Sequence, residues 1–563
     1  MKTLIETSWT ENSEIVDIHV RYELLKFEIQ RFSNRISKQK NKIRKSKAQE
    51  LKDKLDKLYK KMENKTITQN EIDEYDTLTV EHDSILEYIA QGNQIRSRVQ
   101  SIELNEKSNN YFFGREKYEY ERKTLDQLKL SNDQITRDGK EIQKEIRSFY
   151  EMLYKTQYTV PDFSPIEQMQ GLSTLSQVER ESCEQQITIE ECYKTMKFFQ
   201  NNKSPGVDGL SKEFYETFWP VLKDKLLAVY NHSIYHGYMT NSQRRAVVTI
   251  LHKKGKDPHL IKSYRPISLL CFDYKLYSKI LAKRLVDILP NIINDDQFGF
   301  VKGRYIGSCI RFVQDLIDYT DTNNIPGILL QLDFEKAFDT IEWDFIWKTL
   351  EKFNFGPNFI QMVKTCYSDI KTGIMNNGYN TGWFKPTRGI RQGCPLSGSL
   401  FILVAEILAQ LVRNNKDIEG IYIDEFIFKL KQFADDTSAF LKNWKSVVEL
   451  FKVTKDFRAL SGLGLNANKS LIFWLGPWRT RQNNPFNLEQ SNVCINTLGI
   501  MVGRNLNEQN TKNYEQKLDK IKNTFAIWNT RNLSMLGKIL VTKSQAISNV
   551  IYSMSNISVQ LNI

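Results

Sequence analysis

Two short segments hold carboxylates where they could act together. In Ile328–Asp339 (ILLQLDFEKAFD) an apolar run ends at Asp333, and Glu335-Lys336-Ala337-Phe338-Asp339 follows with a helical start. In Leu430–Leu441 (LKQFADDTSAFL) two apolar arms flank Ala434-Asp435-Asp436-Thr437. The first reads as a buried strand that delivers an acid at its end, beside a turn. The second reads as a β-hairpin with two acids at its turn. Neighbouring carboxylates beside apolar strands repel one another, and this costs several kcal/mol unless a cation offsets it. Mg²⁺ takes oxygen ligands from one or two carboxylates plus substrate phosphates. Two such ions about 3.5–4 Å apart stabilise the attacking and leaving oxygens of a displacement. Three carboxylates from two strands meet that need. An isolated ADD tripeptide carries little weight, because solvated turns contain it too.

The acids need a framework, and the chain has several textures. Val20–Asn64 is rich in Lys and Arg, has Leu, Ile, Phe and Tyr spaced along it, and lacks Gly and Pro. It predicts one or two long amphipathic helices with a basic face, serving either as a packing strut or as an arm that neutralises RNA phosphates. Glu71–Arg122 predicts a further helix pair carrying an aromatic-basic knot, Tyr111-Phe112-Phe113-Gly114-Arg115-Glu116-Lys117, and Val160–Pro165 reads as a linker. From about Leu175 short β-like runs alternate with helical segments, as in a mixed α/β body. Beyond Gly503 helical periodicity returns, with Lys, Trp and Arg.

The acidic segments stand in an ordered series. KSPGVDG (Lys203–Gly209), SYRPISLL (Ser263–Leu270) and DQFGFVKGR (Asp296–Arg304) precede or flank the first; RGIRQGCPLS (Arg388–Ser397), GLGLNANKS (Gly462–Ser470) and Leu498-Gly499-Ile500 complete the set. Read in order, these motifs resemble the reverse transcriptases of non-LTR (LINE-type, L1-like) retrotransposons. The resemblance covers about Asn201 to Gly503, with looser similarity upstream to the aromatic-basic knot and downstream through LSMLGK.

The resemblance implies an α+β right-hand polymerase: fingers over 201–321, palm over 323–503 and thumb over 504–563. A basic helical arm (1–110) and a connecting extension (111–200) precede them. It implies that Asp333, Asp435 and Asp436 hold two Mg²⁺ ions, for which Mn²⁺ could substitute, with the Phe334 carbonyl as an extra ligand. The family usually reads Tyr-Ala-Asp-Asp; Phe433 stands here instead, which removes a hydroxyl and leaves the acids intact. Phe338 would lie beneath the incoming sugar and exclude a ribose 2′-OH. Gln392 and Gly393 would meet the nucleotide, Lys253 and Arg265 would clamp its triphosphate, and Lys469 would donate a proton to leaving pyrophosphate. Gly206, Gln297, Lys302 and Arg304 would line the template path, and Leu498-Gly499 would grip the primer. Partners would be an RNA template, a DNA primer or target, and dNTPs. Members of this class usually add a nicking endonuclease and a cysteine-rich segment; neither is read in these residues.

Composition agrees without deciding. The chain has 563 residues and a formal charge of +12, a sign that favours a polyanionic partner. No signal peptide and no run long enough for a membrane span is read. Seven scattered cysteines form no CxxC pair, so neither a disulfide framework nor a cysteine zinc site is expected, and a reducing compartment fits. The resemblance implies action in the nucleus and assembly with RNA in the cytoplasm. His232 and His236 are four apart but lack the HExxH pattern, and no zinc site is expected there. Two rival readings remain: an RNA-templated RNA polymerase, which Phe338 disfavours, and a maturase-like or co-opted RNA-binding protein that keeps the fold as scaffold.

Overall fold

The computed structural model describes residues 1–97, 125–157, 161–253, 255–481, 484–485, 488–529 and 533–557. The aromatic-basic knot Tyr111–Lys117, the second half of the expected 71–122 helix pair and Val160 lie outside these residues.

The architecture is mixed α and β. Its larger sheet has five strands in the spatial order Leu430–Phe433, Asp436–Leu441, Gly327–Leu332, Leu471–Leu475 and Glu489–Gln490. Gly327–Leu332 is central and antiparallel to both neighbours, with Leu330 opposite Ala439 on one side and Ile472 on the other. Its continuous apolar run has a plain cause: both faces are covered. Ile328 and Leu330 point into the main core, whereas Leu329 joins Phe440 and Phe473 in a second core with Ile310, Val313 and Ile317 of the helix Ile306–Thr322. Alternation along a strand sends successive side chains to opposite faces, so a strand buried on both sides has no polar half.

On the main-core side lies Ser397–Asn414, a helix of sufficient length and apolarity to cross a membrane but with 78% of it buried inside the protein. It is a core helix. Its inward Glu406 is paired with Arg413, which also binds Asp296 at 2.6 Å. Burial pushes the Glu406 carboxyl up to about 7.

A smaller sheet runs Tyr264–Leu269, Arg245–His252, Lys371–Asn376, Tyr379–Asn380. Lys371–Asn376 pairs in parallel with Arg245–His252, opposite Arg245 to Thr249. Residues 371–380 thus join a sheet whose other strands precede residue 321. After Gly503 the described residues are helical, with Leu506–Asn529, Met535–Val541 and Ser548–Met554. All seven cysteines are buried and free.

The stretch 20–64, expected as one or two helices, lies in one 46-residue helix, Ile18–Glu63, capped by Asp17. Its first turns are built into the body: Tyr22, Leu25 and Ile29 join the main core. Between them, buried Lys26 reaches Asp208 Oδ2 at 2.8 Å, Asp273 Oδ2 at 2.6 Å and Ser242 Oγ at 3.0 Å. Burial opposes the ammonium charge, yet Asp208 and Asp273 hold Lys26 well above its ordinary value. Asp208, Cys271 and Asp273 converge closely enough for a metal ion. The Lys26 ammonium already supplies the cation there, and burial pushes the Cys271 thiol up, away from the thiolate that would bind metal. Lys26→Met should leave two carboxylates buried without their cation and destabilise the protein by about 3–5 kcal/mol. Thermal melting checks this; an unchanged midpoint would mean that the triad contributes nothing net.

Candidate active site

Asp333 follows the central strand directly, and the segment after it is fixed by a short bridge. Asn466 N donates to the Asp333 carbonyl at 2.7 Å, Glu335 N donates to the Gly464 carbonyl at 2.8 Å, and Phe334 pairs with Leu465 between them. The Phe334 ring is buried. The adjacent hairpin pairs Phe433 with Asp436, so Ala434-Asp435 is its two-residue turn. The expected hairpin is present, with Asp435 in the turn and Asp436 opening the return strand. Asp333 and Asp436 line one cleft, together with Lys469 and Leu498. Burial, then Asp333, pushes the Asp435 carboxyl up. Asp436 is raised to about 6 by desolvation first, then by Asp435 and Asp333. Two acids whose carboxyls are raised by burial and by neighbouring acids, beside Asp333, are the donor set a divalent cation would relieve. Among the described residues, their oxygens do not approach as closely as those of the Asp17/His19/His232 group.

The hairpin turn is held from behind. Ala434 has φ +55, a left-handed backbone that a side chain disfavours. Gln297 grips it on both sides: its Oε1 accepts from Ala434 N at 2.8 Å and its Nε2 donates to the Ala434 carbonyl at 3.4 Å. Phe298 N donates to the Gln432 carbonyl and Gln432 N to the Asp296 carbonyl, both at 2.7 Å, so the whole DQF segment runs beside the hairpin. Gly299 packs against the turn so tightly that a Cβ would sit 2.3 Å from Ala434 N. Gln297, expected on the template path, is 0% exposed and cannot touch a template. Its position is instead beneath the two acids. Gln297→Leu should strand the buried Ala434 N–H, cost about 1–3 kcal/mol in stability and lower any metal-dependent activity. Gly299→Ala should do the same by displacing the turn. Melting and activity measured together check both; full activity in either variant would show that the acids do not need this clamp.

Around the acids stand the other expected residues. Lys469 Nζ lies 3.4 Å from Asp333 Oδ2. Lys253 is lowered by burial first, then by Lys469 and Arg265, with Asp339 and Asp333 opposing; these cations and acids thus share one electrostatic neighbourhood. Half-buried Phe338 stacks on Phe401, with centroids 4.5 Å apart and planes 18° apart. Gln392 is anchored by its carbonyl, which accepts from Ser268 N at 2.8 Å. Gly393 has φ +106, and a Cβ there would lie 2.7 Å from the Ser268 carbonyl oxygen; both constraints demand glycine.

Two residues not singled out in the sequence, Asp339 and Tyr154, complete this floor. Asp339 is buried, accepts from Gln392 Nε2 at 3.2 Å and from the Tyr154 hydroxyl at 3.0 Å. Burial pushes it up to about 6, with Lys336 opposing. Asp339 commits the Gln392 amide nitrogen and so sets that side chain's orientation. The only sequence signal for it was an acid six positions after Asp333, inside a segment read as a helix start.

Comparison with known proteins agrees with this geometry. Residues 251–522 match the family described as reverse transcriptase (RNA-dependent DNA polymerase). A relative named as the Transposon TX1 uncharacterized 149 kDa protein of Xenopus laevis is 33% identical over 383 residues, 68% of this chain and 29% of the relative. The Pol polyprotein of the type-2 retrotransposable element R2DM of Drosophila melanogaster is 28% identical over 272 residues, 48% of this chain and 24% of the relative. The RNA-directed DNA polymerase from mobile element jockey of Drosophila melanogaster is 24% identical over 266 residues, 46% of this chain and 28% of the relative. The chain carries a LINE-type reverse-transcriptase domain. It matches less than a third of the length of each of these relatives.

Within this reverse-transcriptase domain the remaining expected residues fall into two groups. Leu498 and Gly499, at φ +52 and +83, form the tight turn between Cys494–Thr497 and Ile500–Gly503. Tyr552 OH donates to the Leu498 carbonyl at 2.8 Å, and Gln331 Nε2 donates to Thr497 Oγ1 at 2.9 Å, so this turn is tied to the central strand beside the acids. Lys302 is exposed and pairs with Asp287 at 2.6 Å. Arg304 is a strut, not a surface cation: it donates to the carbonyls of Gln297 at 2.6 Å and Ile293 at 2.7 Å. Gly206 is a packing position, where a Cβ would lie 2.3 Å from Cys271 N. Of the four residues expected along the template path, Lys302 alone keeps an exposed charge.

Proposed function

We propose that the chain is an RNA-templated DNA polymerase that extends a primer 3′-hydroxyl, in the right-hand arrangement of fingers, palm and thumb. The larger sheet serves as palm, the smaller sheet belongs to the fingers, and the helices after Gly503 serve as thumb. The observation that carries this reading is the cleft lined by Asp333, Asp436 and Lys469, with Asp435 in the hairpin turn next to Asp436. Mg²⁺ ions bound there would stabilise charge on the attacking and leaving oxygens. The chain's own residues position the rest: Asp333, Asp435 and Asp436 hold the cations, Lys253 and Arg265 attract the triphosphate, and Gln392 and Phe338 shape the nucleotide's seat. Lys469 stands where it can give a proton to departing pyrophosphate. Template, primer and dNTPs are the partners, with the nucleus as the site of action. The matching polymerase motifs and the retained acids favour this reading over a pure RNA binder.

The test is extension of oligo(dT) on poly(rA) with Mg²⁺ and dTTP, beside UTP. Incorporation of dTTP well above UTP supports reverse transcription. UTP incorporation at equal rate would favour an RNA polymerase, and template binding without incorporation would favour the scaffold reading.

The distal arm is the proposed RNA-holding surface. Lys38, Lys40, Lys42 and Lys45 are exposed on Ile18–Glu63 beyond its buried first turns. Changing these four to Gln should weaken RNA binding and flatten its salt dependence, by about 0.7 in log–log slope for every single-strand phosphate that is no longer neutralised. The melting temperature should not move, because the side chains are exposed. An unchanged slope would make the arm a strut throughout.

A further inference from the structure

A cluster of imidazoles lies where the start of the arm helix meets Trp219–His236, and polymerisation gives it no task. Asp17 caps the arm helix, its Oδ1 accepting from His19 N at 2.8 Å and Val20 N at 3.3 Å. His19 is 5% exposed, and its Nε2 lies 2.8 Å from Ser233 Oγ. The Ser233 hydroxyl donates to the Val229 carbonyl at 2.8 Å, so its proton is committed. Nε2 must therefore supply the proton of the His19–Ser233 bond. That fixes the tautomer and leaves Nδ1 with a lone pair, buried and without a hydrogen-bond partner. His232 Nε2 is 3.6 Å from Asp17 Oδ1, and its ring centroid is 4.6 Å from that of His19. One ligand atom from each of Asp17, His19 and His232 lies within 4.8 Å of the others.

A histidine that donates one ring N–H to a neighbouring acceptor, while the other nitrogen is left bare, is oriented as metal-bound histidines are. Two imidazoles and a carboxylate suit Zn²⁺, whereas Mg²⁺ demands oxygens. We propose that Asp17, His19 and His232 form a Zn²⁺ site, with Ser233 as the residue that orients His19. His236, whose ring lies 4.2 Å from that of His232, is a further donor beside it. Because Asp17 and His19 belong to the arm and His232 to the body, the ion fastens one to the other. Spacing alone gives no sign of this site, because the proposed ligands come from residues more than two hundred positions apart.

The test uses the full chain, stripped with a chelator and kept in excess Mg²⁺ so that the polymerase carboxylates are occupied. Co²⁺ should bind with one equivalent and give the strong visible absorption of a low-coordinate, nitrogen-ligated ion; Zn²⁺ should displace it and raise the melting temperature. Asp17→Asn retains a good helix cap, so the fold stands, and the absorption should be lost. His232→Gln should lose it as well, and Ser233→Ala should weaken binding about 10–100-fold. No cobalt absorption in the wild-type protein, or a spectrum unchanged in Asp17→Asn, would overturn the site.

Discussion

Primer extension by Asp435→Ala and by Asp333→Ala is expected to fall about 10²–10³-fold or more, because each change removes charge stabilisation at the reacting oxygens. RNA affinity should stay near that of the wild type, since basic residues elsewhere neutralise the phosphates. The structure sharpens this expectation. Asp435 and Asp436 are both held above the ordinary carboxylate range by the cleft and by Asp333, so each acid is poised to be neutralised by a cation. Asp333 takes one exposed hydrogen bond, from Lys469 at 3.4 Å, and the hairpin turn itself is held through Ala434. Melting curves of the variants should match the wild type. A variant that keeps more than about a tenth of the wild-type rate would remove that acid from the metal site.

Phe338→Ala is expected to admit ribonucleotides, raising the rNTP-to-dNTP incorporation ratio by about 10–200-fold, the range that steric discrimination in a pocket delivers. Phe338 is suited to the task because it cannot yield. Its ring is stacked on Phe401 at 4.5 Å, and its carbonyl accepts from Ile390 N at 2.6 Å. Truncation opens space while the backbone stays anchored, and a 2′-OH is the group that would fill it. The ratio is measured by competitive incorporation on one template. An unchanged ratio would return Phe338 to plain packing against Phe401.

What the sequence reveals and what it hides divide along a physical line. The placement of Asp333 after a strand and of Asp435 and Asp436 at a hairpin turn was legible because the strand period is local. The central strand's apolar run reads as a buried strand, and Ile328, Leu329 and Leu330 are buried. Gln297 was not legible in its role: its partner Ala434 is 137 positions away, and a polar residue near glycines and basic residues reads as a contact with ligand. Arg304 misleads for the same reason, since a half-buried guanidinium bonding to carbonyls looks in sequence like a free cation. Lys371–Asn376 joins a sheet assembled mainly from an earlier stretch, and strand pairing of that range leaves no local mark. Lys26 sits among many lysines of the arm, and only the fold shows that it is enclosed by two aspartates.

The most direct measurement is primer extension on an RNA template of defined mixed sequence, with the product sequenced and the wild type run beside Asp333→Ala. The expected result is Mg²⁺-dependent DNA complementary to the template from the wild type, and none from the variant. Product of unrelated sequence would deny template direction, and equal product from Asp333→Ala would place the chemistry away from the carboxylates of the central strand.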